Sequence, residues 1–110
     1  MADDSTRMLY EELRKDWPLA PLRHDSEEVL FEALAAAVND LIQRDFHRLM
    51  SILYRIDVSE QKIRHMLGEN KGIDAARIIS HLIIDREKQK IRSRQEWKEK
   101  GGDVAEEEKW

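Results

Sequence analysis

Four histidines, His24, His47, His65 and His81, are the only side chains here whose ordinary titration falls near neutrality. They lie in four separate segments. His81 and Asp85 are four residues apart and share a helical face, so both can reach one metal ion. Two ligands do not make a site, and no HExxH or Glu-x-x-His pattern adds to them. There is no cysteine, which excludes thiolate catalysis, disulfides, iron–sulfur clusters and Cys-based zinc sites. The expectation is no metal, no cofactor, and histidines that act as surface hydrogen-bonding groups. Asp45 stands between Leu41 and Leu49 beside an apolar stripe. A carboxylate there is a buried base, a partner of Arg48 or Arg55, or a helix cap. With no nucleophile, metal set or phosphate loop beside it, pairing or capping is the better reading. Tyr54-Arg55-Ile56-Asp57 reads as a helix end, its arginine near the last carbonyls. No catalytic residue is nominated, and the chain is not expected to be an enzyme.

The strongest charge asymmetry lies near the C-terminal end. Arg86, Lys88, Lys90, Arg92, Arg94, Lys98 and Lys100 outnumber Glu87, Glu96 and Glu99, for a local charge of +4. Arg86, Lys90 and Arg94 step by four and share a face, with Trp97 beside them. Such a face can contact phosphates and stack a base, which makes Arg86, Lys90, Arg94 and Trp97 the candidate nucleic-acid residues. The plainer reading is a solvated helix end whose cations complement the helix dipole. The acidic tail beyond it can fold back on the same face. The net charge of −4 also weighs mildly against nonspecific nucleic-acid or anionic-membrane binding.

The elements that position these residues are helices. From Ser26 to Asp57 no Gly or Pro occurs, and Leu30, Leu34, Val38, Leu41, Ile42, Phe46, Leu49, Leu53 and Ile56 recur at steps of three and four. Thirty helical residues span about 45 Å. That exceeds the roughly 34 Å diameter of a compact domain of this size. Either the bundle is elongated or the helix breaks, and the place for a break is Gln43–Asp45, with Asp45 as cap. Asp25 with Glu28 resembles a capping arrangement at the start of this stretch. Asp57 with Glu60, or Ser59, starts a short helix carrying Ile63, Met66 and Leu67 and stopping at Gly68. After a turn containing Gly72, Asp74 caps a final helix reaching Lys100. Its first half bears Ala75, Ile78, Ile79, Leu82 and Ile83. The opening turns are too apolar for the base-reading helix of a helix-turn-helix, which excludes that motif. Residues 5–16 form a short first helix with Met8, Leu9 and Leu13 on one side. Trp17, Leu19 and Leu22, interleaved with Pro18 and Pro21, form an extended strap lying on the bundle. The PxxP spacing of those prolines also fits a polyproline ligand, but the apolar residues between them favour packing.

The segments Asp45–Glu60 and Ile83–Ile91 resemble a family of small uncharacterised bacterial proteins that are all-helical. The resemblance covers the middle and last third of the chain, and it implies a fold but no activity.

The reading is therefore an all-α bundle of about four helices, with a long, breakable central helix and a long C-terminal helix. Residues 1–102 form one domain, and 103–110 form an acidic, mobile tail. The hydrophobic fraction of 41% and charged fraction of 38% suit amphipathic helices with wet outer faces. The N-terminus lacks the regions of a signal peptide, and no apolar run approaches the ~20 residues needed to span a bilayer. A cytoplasmic, non-catalytic interaction protein is expected, working with a protein partner or by self-association as a homodimer. The alternative is a nucleic-acid accessory protein using the basic last helix.

Overall fold

Asp45 breaks the long central stretch in two. Its backbone, at φ −155° and ψ 71°, lies outside the helical region, and its carboxylate accepts from the Arg48 N–H at 3.0 Å. That bond satisfies one of the first-turn donors that a new helix leaves unpaired. The computed structural model describes residues 4–19, 26–70 and 74–99. Over these the chain is an all-α bundle of five helices: α1 (Asp4–Leu13), α2 (Glu27–Arg44), α3 (Phe46–Arg55), α4 (Glu60–Glu69) and α5 (Ala75–Glu99). The broken form of the central helix is the one adopted. None of the described helices is long and apolar enough to cross a membrane.

Helix α5 is the hub. It packs against α1, α2 and α4, while α3 packs on α2. On α5 the residues Ala76, Ser80, Ile83 and Glu87 fall at steps of three and four, and all are buried. Facing side chains Leu9, Leu13, Leu34, Val38, Leu49 and Leu53 close a continuous core. Each fully buried Leu or Ile contributes roughly 1.5–3 kcal/mol from the water it leaves. Residues 92–99 are exposed throughout, so the last turns of α5 extend past the core.

The caps refine the expected boundaries. Ser26 starts α2, accepting from the Val29 N–H at 3.3 Å; Asp25 lies outside the described residues. Ser59, rather than Asp57, caps α4, accepting from Lys62 at 3.2 Å. Helix α4 runs one residue beyond Gly68, and the Asn70 amide closes it on the Met66 carbonyl at 2.8 Å. Asp74 accepts from Ala76 at the start of α5. Asp57 does a different job. It ends α3 with φ 65°, where Val58 N–H reaches back to Leu53 O and Asp57 N–H to Tyr54 O. This pair of bonds is a Schellman closure with Asp where Gly is usual. In the strap, Trp17 is buried and Leu19 half-buried, as expected, with Pro18 exposed. Pro21, Leu22 and the turn at Gly72 lie outside the described residues, as does the tail 103–110.

Candidate functional site

The four candidate nucleic-acid residues sit on one side of α5, but the three cations there have partners within the chain. Arg86 reaches over the end of α3. Its Nε donates to the Ile56 carbonyl at 3.2 Å, Nη2 to Asp57 at 3.3 Å and Nη1 to Gln89 at 3.1 Å. It therefore caps a helix C-terminus, the role the sequence suggested for Arg55. Arg55 instead pairs with Asp16, in the turn after α1, at 2.7 Å. Arg94 donates to Glu12 on α1 at 2.8 Å, and Lys90 lies 3.4 Å from Glu87. Trp97 stays 48% exposed on the projecting end of α5. Arg92 and Lys98 beside it have no carboxylate partner among the described residues.

The groups considered for catalysis or metal are dispersed. Asp45 is exposed and occupied as a cap. His47 lines a cleft beside α3, His65 is exposed on α4, and His81 lies against Phe31 with ring centroids 4.5 Å apart. Asp85 faces solvent in a shallow cleft with Asp57 and Lys62. His24 is outside the described residues. Among the described residues no three His, Asp or Glu side chains are placed to hold a metal ion.

Two features went unrecognised in the sequence. The first is on α3. Phe46, counted there as a core residue, is 55% exposed, and Tyr54 is 87% exposed. With half-buried Met50 between them they form an apolar stripe at steps of four along α3. The break at Asp45 turns this row away from the core, which is why spacing alone misplaced Phe46. Beside the stripe runs a cleft of about 310 Å³ between α3 and the start of α4, floored by Leu53 and Val58. Helix α3 contains no acidic residue, and Arg48 has no carboxylate partner among the described residues.

The second is Glu87. It is 1% exposed, and its Oε1 has no hydrogen bond despite the nearby Lys90 ammonium. Burial pushes its carboxyl above the usual range; Lys90 opposes this, and Glu12 and Asp16 add to it. Glu12 goes the other way. Burial raises it, but hydrogen bonds from Lys15 and Arg94 outweigh burial and hold it below the usual range. The signal for Glu87 was its place on the Ala76–Ser80–Ile83 row of α5. Two further buried polar atoms, Trp17 Nε1 and Ser80 Oγ, have no hydrogen-bond partner.

Compared with protein-family models, curated proteins and solved structures, the chain matches none.

Proposed function

We propose that this chain is a non-catalytic, cytoplasmic interaction protein that self-associates through the Phe46–Met50–Tyr54 stripe of α3. The exposed stripe carries the reading. Single apolar residues on a surface are ordinary, but three consecutive positions of one helical row are a patch. The row is also self-complementary. Two copies laid antiparallel about Met50 set Phe46 of each against Tyr54 of the other, a twofold arrangement with an aromatic pair at both ends. Helix α3 itself carries no acid, Glu60 of α4 being the carboxylate that lines the cleft beside Met50 and Tyr54, and the cysteine-free composition fits a reducing compartment.

The test is sedimentation velocity from micromolar to millimolar protein. The wild-type sedimentation coefficient rises with concentration, and Phe46→Glu and Tyr54→Glu remain monomeric with unchanged helicity. A wild-type monomer at every concentration overturns self-association, and association that survives both substitutions overturns the assignment to α3.

A second reading, nucleic-acid binding at the end of α5, is supported by half-exposed Trp97 beside Arg92 and Lys98. The ion pairs of Arg86, Lys90 and Arg94 count against it, since each must break before its cation meets a phosphate. Its signature is affinity for a labelled oligonucleotide that falls steeply with salt and is lost in Trp97→Ala.

A further inference from the structure

We propose that Glu87 makes the docking of α1 proton-dependent: protonated, it lets α1 close on α5, and ionised, it loosens α1 from the bundle. The inference is independent of the α3 surface. It begins from an asymmetry in what surrounds this carboxyl. The acids that act on it are Glu12 of α1 and Asp16 in the turn just after it. The one cation that acts on it, Lys90, belongs to α5 itself. Ionisation of Glu87 therefore gains attraction only within its own helix and meets repulsion from α1. Among the described residues the ion pair to Glu87 comes from Lys90. Asp16 is paired with Arg55 of α3, and Glu12 with Arg94 of α5 and with Lys15 just past α1.

Helix α1 suits such control because its attachment is local. Its main neighbour is α5, to which it presents Leu9 and Leu13. Two ion pairs hold its C-terminal end, Glu12 to Arg94 and, in the turn just after the helix, Asp16 to Arg55. Between those clamps lies Glu87, the one buried carboxyl among the described residues. When α1 and the turn after it lift, Glu87 meets water and the carboxylates of Glu12 and Asp16 leave. The closed form thus holds the Glu87 proton more tightly than the open form does. Below the usual glutamate range both forms are protonated, and opening does not depend on pH. As pH rises from that range through the raised Glu87 value, opening grows by up to about tenfold per unit. Above it the dependence ends. Glu12, held low by its cations, contributes with the opposite sign only at still lower pH.

Trp17 reports the motion. It follows α1 through a backbone bond to Leu13 and is 2% exposed. In the full chain carrying Trp97→Phe and Trp110→Phe it is the sole indole. Its acrylamide quenching is measured from pH 4.5 to 8, alongside a carbon-13 titration of the Glu87 carboxyl in the same protein. Quenching is expected to rise with pH, with a midpoint matching that of Glu87, while far-UV dichroism of the remaining helices holds. Glu87→Gln abolishes the rise. Quenching that ignores the Glu87 titration, or a Glu87→Gln protein that keeps the parental slope, overturns the proposal. If Glu87→Gln does not fold, the coincidence or mismatch of the two midpoints decides alone.

Discussion

Replacing Arg86 by Ala separates the two uses a basic residue on α5 can have. If the side chain closes the end of α3, its loss is a folding event; if it waits for a phosphate, stability is indifferent. Its Nε bond to the half-buried Ile56 carbonyl, at 3.2 Å, is a charged hydrogen bond to a helix-terminal acceptor. Such bonds are worth about 1.5–3 kcal/mol. The pair with Asp57 adds little, because that carboxylate is 85% exposed and exposed pairs give roughly 0–1 kcal/mol. The sum places Arg86→Ala at roughly 2–3 kcal/mol, or about 8–12 °C in melting temperature for a domain of this size. Arg86→Lys keeps the charge but not the fork of donors, so it recovers the surface pair and not the cap, and falls in between. Thermal and urea melts followed by far-UV dichroism measure both. Hydrogen exchange then localises the effect, with the amides of Ile56 and Val58 losing protection before those of α2. An Arg86→Ala melt within about one degree of wild type would refute the capping role and return this residue to the pool of free cations.

Two further outcomes bear on the fold. Leu49→Ala and Leu53→Ala, at positions 0% and 1% exposed, each cost about 2–5 kcal/mol in chemical denaturation; unchanged melts would show that the buried face of α3 is assigned wrongly. At the positive φ of position 57, Asp57→Gly and Asp57→Ala both lose the weak pair with Arg86 but only Gly relaxes the backbone. The Gly variant is therefore more stable than the Ala variant by about 1 kcal/mol, and the reverse order would refute the left-handed closure.

Helix identity was legible because apolar spacing is a local signal. Leu30, Leu34, Val38, Leu49, Leu53 and Ile56 were placed on a buried face by their intervals, and they are buried. The break at Asp45 was legible as one of two options, since a capping side chain competes with helix continuation without forbidding it. What spacing could not carry was the change of direction the break imposes. The step from Ile42 to Phe46 fits a helix, yet it crosses the break and leaves Phe46 outside. The closure at Asp57 was hidden for another reason: a left-handed residue is read from Gly or Asn, and Asp gives a weaker cue. The basic face of α5 was legible as a face, but not its direction. Glu12 lies 82 positions from Arg94, and Asp57 lies 29 from Arg86. No local pattern links such pairs.

The usual distribution of polar and apolar groups is locally inverted, and the inversion points to where function should be sought. Of the cations of α5 that invite a ligand, Arg94 is engaged by α1 and Arg86 by the end of α3, while Lys90 pairs with Glu87 of α5 itself. A carboxyl, Glu87, lies inside at 1% exposure. The aromatic side chains of α3 lie outside. Fully burying Phe46 would contribute roughly 1.5–3 kcal/mol, and the monomer, leaving it 55% exposed, forgoes about half of that, while Tyr54 at 87% forgoes most of its own burial. Helix propensity does not account for them, because aromatic residues are middling helix formers. Nor does the core need them, since Leu49, Ile52 and Leu53 already fill the inward side of α3. Met50 packs partly against the core, but Tyr54 and the outer half of Phe46 contribute little to folding in the monomer. A contact made after folding gives them a use.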